Sequence, residues 1–377
     1  MEGACKEGFE RIAPEGAYLK KLAILNIAYP FAPVGEDTCG GAEQILYLID
    51  KALVRGGHNS IVLAMEGSRP NGLLIPAGRV NGIINERVRT RMHALYRERI
   101  KEVLKSMRVD VIHMHGLDFD SYFPSYEETQ IPFLATLHLP LSWYSESALC
   151  PSRPGTYLNC VSTSQRDIYP KSKDLRFLPV IENGVPVERF YPPLRKRNYA
   201  LALGRICPEK GFHIAIKATG LAGVPLIIAG EVFPYEAHEN YFRNWIAPSL
   251  GEQVKFVGPV EFARKRRLLS GARCLLAPSL VPETSSLTAR EALASGTPVL
   301  AFPAGALADT VEHGKTGFLV RDEKEMAEAI LKAHLIDPEA CRRTARERFG
   351  ADEMTSKYIR LYRKLSEGED PLCIKAH

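Results

Sequence analysis

The 377-residue chain predicts an α/β protein built from two doubly wound, parallel-sheet halves that face each other across a cleft. Three observations carry this expectation. Short, nearly continuous apolar runs alternate with segments of helical period, the pattern of parallel strands covered on both faces. The alternation is interrupted once, by a Pro-rich and charged stretch from Pro186 to Asn198, and then begins again. The length suits two ordinary domains rather than one.

In the first half, Lys21 to Pro30 reads as the opening strand. Ile45, Leu48, Ile49, Ala52 and Leu53 then fall on one face of a helix that closes at Gly56-Gly57. Ser60–Met65 is the next strand, an arginine-rich helix covers 83–106, and Val109–His115 is a strand again. Pro132–His138, Leu158–Ser164 and Arg176–Gly184 complete this half. In the second half, strands are expected at Tyr199–Gly204, Pro225–Gly230, Val254–Gly258, Cys274–Ala277 and Val299–Phe302. Helices are expected over 210–221, 236–249, 261–271, 287–295, 323–336 and 350–366. Residues 1–19 show no period and read as an irregular extension, so the division is 1–19, 20–190, 191–349 and a closing helix over 350–377.

Composition excludes several classes. Apolar residues make up 45% and charged residues 25%, and no apolar run approaches the ~20 residues of a membrane span. A net charge of +5 gives mild attraction for anions and is not the footprint of a nucleic-acid binder. The start of the chain lacks a basic-then-apolar leader pattern, which leads us to expect a cytoplasmic protein. The eight cysteines form no C-x-x-C pair, so they read as reduced thiols and a zinc site is not expected.

The chemistry concentrates between Pro278 and Pro298. A buried strand ends at Ala277, and a loop carries Glu283, Thr284, Ser285 and Ser286. A helix then runs from Leu287 to Ser295 and stops at Gly296, with Ser285 or Ser286 as its N-cap. Its first N–H groups and positive dipole end suit an anion. Glu283 and Glu291, eight residues apart, frame that corner. Arg205 and Lys210 follow the first strand of the same half and place two cations over the same sheet edge. Taken singly, each has an ordinary reading: loop cations, a solvated loop carboxylate, a carboxylate in helix packing. Their combination points to a diphosphate beside a polyhydroxyl group. Ligands of open α/β sheets sit at the carboxyl ends of the strands.

Glu283-x7-Glu291, Gly204-Arg205-x4-Lys210-Gly211, Asn183-Gly184-Val185 and Gly40-Gly41-Ala-Glu together resemble the retaining glycosyltransferases of family 4, which have the GT-B fold. The resemblance spans roughly residues 20–366 and is strongest over 199–320. It implies a C-terminal domain that holds a sugar nucleotide and an N-terminal domain that holds the acceptor. It gives Arg205 and Lys210 the diphosphate, Glu291 the ribose and Glu283 the hydroxyls of the donor sugar. Backbone N–H groups near Ser286 and Leu287 would meet the phosphates, and Val260 the base. Gly40 and Gly41 would approach the diphosphate across the cleft, and His138 matches the active-site histidine. Where Glu-Gly-Phe-Gly is usual, this chain reads Glu283-Thr284-Ser285-Ser286, with hydroxyls in place of glycines.

The resemblance further implies a UDP-sugar donor, a carbohydrate, lipid or small-molecule acceptor, and a closing helix that crosses back to the first domain. The strand ends of the second half carry no D-x-D cluster, which gives no reason there to invoke a metal cofactor. The acceptor would attack from the face of the leaving group, with Glu283 as covalent nucleophile the competing route. His115 and Asp118 are acceptor-side candidates, and His113 is expected to be a satisfied core histidine. The basic helix at 83–106 and Arg264–Arg267 read first as solvated faces, and second as weak attraction to an anionic membrane inner face. Other readings are a sugar-nucleotide 2-epimerase of the same fold and a non-catalytic sugar-nucleotide sensor. A nicotinamide oxidoreductase is disfavoured because no G-x-G-x-x-G follows a strand.

Overall fold

Among the described residues the chain forms twelve parallel strands in two sheets of six. The computed structural model describes residues 20–80, 82–168, 177–191, 195–369 and 371, so the extension at 1–19, Arg176 and residues 192–194 of the linker lie outside the described residues. The first half contains β1 (Ala23–Ile27), α1 (Gly41–Arg55), β2 (Asn59–Ala64), β3 (Leu73–Pro76), α2 (Glu86–Ser106), β4 (Val111–Met114), β5 (Phe133–Leu137), α3 (Glu146–Leu149), β6 (Thr156–Cys160) and α4 (Thr163–Asp167). The second begins with β7 (Ala200–Leu203), α5 (Phe212–Ala222), β8 (Leu226–Ala229), α6 (Glu236–Tyr241), β9 (Val254–Phe256), α7 (Phe262–Gly271) and β10 (Cys274–Ala277). It continues through α8 (Leu287–Ala294), β11 (Val299–Ala301), α9 (Ala306–Thr310), β12 (Gly317–Leu319), α10 (Glu323–Lys332), α11 (Pro338–Arg348) and α12 (Ala351–Glu367).

Both sheets wind the same way, in the orders β3-β2-β1-β4-β5-β6 and β12-β11-β10-β7-β8-β9. Each therefore reverses direction beside its first strand, between β1 and β4 and between β7 and β10. Such reversal points open a crevice at the carboxyl ends of the two strands. The register is that of parallel ladders, with Leu25 opposite Ile61 and Ile112, and Leu275 opposite Leu201 and Val299. Ile24, Leu25, Leu201 and Leu275 are all buried, as strands covered on both faces require.

The halves share one apolar layer. The buried face of α12 carries Met354, Tyr358, Leu361, Tyr362 and Leu365, at spacings of three and four. That face packs on α1 and β4 of the first half. Tyr362 Oη lies 2.7 Å from Nδ1 of His113, and Tyr358 Oη donates to Asn159 Oδ1 at 2.8 Å. Thr136 Oγ1 takes the other ring nitrogen of His113 at 2.7 Å, so His113 is a fully satisfied core histidine. The chain crosses between halves at Gly184, where an added Cβ would stand 2.7 Å from the backbone of Gly350 and Ala351. A side chain there would force the crossing apart. A two-way ladder between Val185 and the backbone of Phe349 and Ala351 fixes the spot.

Several elements depart from the sequence expectation, for identifiable reasons. Residues 177–184 add no strand; Phe177 alone bridges to Leu158. β3 and β12 were not anticipated, because one is a half-exposed edge strand and the other only three residues long. The short α9 and the polar α11 also lacked a strong apolar period, and α11 is stabilised by the Asp337 N-cap and Pro338. The helix expected over 236–249 is divided into an α turn, a π segment at Phe242–Ile246 and a 3₁₀ turn at Ala247–Ser249.

The basic face of α2 is partly used up by the fold. Arg89 lies over Phe31, Arg97 donates to the carbonyl of Ser121, Arg99 pairs with Glu102 and Lys101 with Glu128. Arg87 and Arg91 are exposed. This favours a solvated helix face. Among the described residues no helix is long and apolar enough to cross a membrane.

Candidate active site

The site forms where the reversal points of both sheets meet the first turns of α1 and α8. Gly41 opens α1 and Leu287 opens α8, and a Cβ on Gly41 would stand 3.6 Å from Leu287 Cδ1. Two helix N-termini from different halves thus converge, and their first-turn N–H groups have no partners within their own helices. Gly40 is the N-cap of α1, and a Cβ on it would collide with the carboxylate of Glu43. Glu43 stands at the third position of the helix and folds back over its start, as the acid of a capping box does. Burial pushes its carboxyl up, while its own backbone N–H and the charge of Arg205 oppose that rise without cancelling it.

Glu283 is the electrostatic centre. Its Oε1 accepts from Lys210 Nζ at 2.5 Å and from Ser279 Oγ. Burial alone would raise its carboxyl. The charge and hydrogen bond of Lys210, the Ser279 hydroxyl and the charge of Arg205 together reverse that and hold it below the ordinary range. The loop is clamped on its far side, since Glu283 N donates to Ala304 O at 3.1 Å and Ala306 N to Glu283 O at 2.8 Å. Arg205 follows β7 and Lys210 ends a 3₁₀ turn at Pro208–Lys210. Gly211, with φ of 65°, then lets that loop close onto Pro278 O, a position where a Cβ would collide.

Two of the three hydroxyls make hydrogen bonds, in different ways. Thr284 Oγ1 donates across the cleft to His138 O at 2.8 Å. Ser285 Oγ accepts from Asn183 Nδ2 at 2.9 Å, so it ties the loop to the crossing segment. Ser286 is the N-cap of α8, but its side chain caps nothing, contrary to the capping role expected for Ser285 or Ser286. The reason is its backbone. At φ 46° and ψ 69° it is in the left-handed region, unlike a hydroxyl cap, which needs an extended conformation. Ser286→Gly is accordingly expected to raise the thermal midpoint. It relieves ~1–2 kcal/mol of left-handed strain against ~0.4–1 kcal/mol of added unfolded-chain entropy. A lower midpoint would assign the hydroxyl a hidden partner.

Glu291 is buried one turn into α8 and accepts from Lys265 Nζ of α7 at 2.6 Å. Lys265 is therefore not part of a solvated basic face, because the turn of α7 carries it inward while Arg264, Arg266 and Arg267 stay outside or half-buried. Val260, Gly204, Gly230, Lys265, Thr288 and Glu291 line one cavity, whose opposite wall is Glu36–Cys39 and Gln44 of the first half. Asp37 Oδ1 accepts from Phe262 N across that cavity at 2.7 Å.

On the first-half side, His138 follows β5 and its Nε2 lies 3.0 Å from His115 Nδ1. Burial lowers the His138 pKa to about 3 and holds His115 and His113 far below their ordinary range. All three imidazoles are neutral at physiological pH. His138 Nδ1 and His115 Nε2 are buried without a hydrogen-bond partner among the described residues. Asp118 turns away from this pair and bonds His93 Nε2 of α2 at 2.6 Å. Sequence reasoning assigned no role here to Glu43, Lys265, Asn183 or Arg290. Glu43 and Asn183 left a trace, since both stand in the motifs that carry the resemblance, and Glu43 is also the acid three residues after a helix-starting glycine.

Two adjoining family descriptions match this chain: the "Glycosyltransferase Family 4" domain over residues 39–189 and "Glycosyl transferases group 1" over 187–348. The chain belongs to glycosyltransferase family 4. This family 4 glycosyltransferase is 27% identical over 387 aligned positions to a glycogen synthase of Mycobacterium tuberculosis, covering 86% of this chain and 89% of the relative. Its fold superposes on the sucrose-phosphate synthase of Thermosynechococcus elongatus with a TM-score of 0.74 at 20% identity, over 92% of this chain and 100% of the other. It superposes on Anabaena HepE in complex with UDP and glucose with a TM-score of 0.69 at 19% identity, over 90% and 98%. Both sheets of the transferase are thus those of the GT-B fold.

Proposed function

We propose that this enzyme moves a sugar from a UDP-sugar to a hydroxyl of a carbohydrate, lipid or small-molecule acceptor, with retention at the anomeric carbon and without a metal cofactor. The observation that carries this reading is the arrangement around Glu283. An ionised carboxylate, Lys210 and the neighbouring Arg205 stand together at the reversal point of the second sheet, where two helix N-termini converge. When a sugar–phosphate bond breaks, negative charge grows on the departing diphosphate. Fixed cations and N–H groups stabilise that charge most when they are already in place. Lys210 is held in place by Glu283, whose carboxylate also accepts from Ser279, before any donor arrives.

In this reading Glu291, steadied by Lys265, accepts from the ribose diol, Val260 meets the base, and Gly40 and Gly41 approach the diphosphate from the first half. Glu283 and the N–H groups at Ser286 and Leu287 hold the donor sugar and phosphates. The buried, neutral His138 offers Nδ1 to a hydroxyl of the transferred sugar; it is a hydrogen-bonding group rather than a cation. The acceptor enters from the first-half side, beside His138 and His115. Asp118 sits behind them as a partner of His93, so its contribution is to the wall and not to contact. The acceptor hydroxyl attacks from the leaving-group face and its proton passes to a phosphate oxygen. The neighbour holding UDP and glucose supports the choice of nucleotide. A cytoplasmic location, with at most weak attraction of α2 to anionic lipid, completes the proposal.

A panel of nucleotide sugars tests it. A UDP-sugar at 100 times its Kd should stabilise the fold by about 2.7 kcal/mol, and GDP- and ADP-sugars by less. Transfer should persist in EDTA, and the product should keep the donor's anomeric configuration by NMR. Loss of transfer in EDTA that magnesium restores would overturn the metal-free mechanism, and an inverted product would overturn retention.

A further inference from the structure

Three potential metal ligands gather beside the cationic loop, outside the groups used above. Cys207 and Glu209 lie on the turn between Arg205 and Lys210, and His238 lies in the first turn of α6. One ligand atom from each comes within 4.8 Å of the others. The Cys207 thiol is buried, with Sγ 3.5 Å from the carbonyl of Arg205. His238 Nδ1 is buried and has no hydrogen-bond partner among the described residues, although most hidden ring nitrogens find one. Its ring is held edge-on against Tyr235, with centroids 5.2 Å apart. The spacing fits a metal ion. Around a tetrahedral zinc, with Zn–S of ~2.3 Å and Zn–N or Zn–O of ~2.0–2.2 Å, ligand atoms stand roughly 3.3–3.8 Å from each other. Rotamer adjustments of about 1 Å would bring this trio to that geometry.

We propose that Cys207, Glu209 and His238 bind one zinc ion, with water as fourth ligand. The donor set decides the ion, because a thiolate with an imidazole selects zinc or its soft relatives over magnesium or calcium. The thiol proton must leave when the metal arrives, and burial holds that thiol up at about 11. Binding therefore releases a proton and weakens as pH falls. The zinc joins α6 to the loop that carries Arg205 and Lys210, and stiffens it. No C-x-x-C spacing announces the site, because His238 arrives from another helix, 31 positions beyond Cys207.

The test uses the full chain, stripped with chelator and titrated with cobalt(II). One equivalent should bind with a thiolate-to-cobalt absorption band in the near ultraviolet, zinc should displace it, and zinc should raise the thermal midpoint. In Cys207→Ser the band should vanish. His238→Gln changes a half-buried position, so folding is retained, and should weaken binding at least ~10-fold. No band in the parent chain overturns the site. So does a band that persists in Cys207→Ser, which would assign the metal to another thiol such as the exposed Cys150. Unchanged affinity in His238→Gln would overturn it too. None of these readouts depends on sugar transfer.

Discussion

Lys210→Ala and Arg205→Ala should each lower kcat/KM for sugar transfer by at least ~10²-fold, equivalent to losing about 2.7–4 kcal/mol of transition-state stabilisation. The two cations act at the departing diphosphate, and their effect arises from being fixed rather than from charge alone. Lys210 is fixed by Glu283 at 2.5 Å. Removing the ammonium also leaves Glu283 with only Ser279 and the more distant Arg205 to keep it ionised. The loss should therefore appear in kcat as well as KM, and the thermal midpoint of the unliganded enzyme should move little by comparison. Near-normal turnover in either variant would remove the diphosphate clamp from the mechanism.

Arg290→Ala should be the most destabilising single change in the second half, at roughly 3–5 kcal/mol. Arg290 is among the largest fully buried side chains. Its guanidinium donates to the carbonyl of Asn183, lies 3.4 Å from Glu182 and stacks over Phe349, 4.5 Å from the ring centroid. It joins α8, the crossing segment and the start of α12. Truncation leaves a buried carbonyl unpaired and a void under an aromatic ring, two losses that the surrounding backbone cannot easily refill. Arg290→Met keeps the volume and should recover part of the midpoint; equal losses in both variants would assign the effect to the hydrogen bond rather than to packing. Arg273→Ala, which removes an exposed hydrogen bond to Asn198, should change stability by within ~0.5 kcal/mol.

The contrast between these residues shows how far the sequence could be read. β10 was legible to the residue, because a buried parallel strand is a short apolar run with a sharp end. α8 was nearly so, bounded by the hydroxyl cluster and by Gly296. Arg205, Lys210, Glu283 and Glu291 were legible because chemistry of that kind sits at strand ends and helix starts, which local pattern locates. Lys265 and Arg290 were not. Lys265 looked like one basic residue among several on α7 and Arg290 like a lone surface cation on α8, and only the packing of α7 against α8, and of α8 against the crossing segment, turns them inward. The same holds for Ser286, whose left-handed backbone is imposed by the loop clamp at Ala304 and Ala306 rather than by its own preference. Edge strands β3 and β12 escaped for the opposite reason, since an edge need not be continuously apolar.

The hydrogen bond from Thr284 to the carbonyl of His138 has a consequence for the order of events in turnover. It joins the donor-side loop to the floor of the opposite sheet, alongside the Asn183–Ser285 tie and the contact of Gly41 with Leu287. Any widening of the cleft that admits a bulky nucleotide must break the first of these and draw Gly41 away from Leu287. Thr284 is thus a latch, and its hydroxyl adds a barrier that product must also cross on leaving.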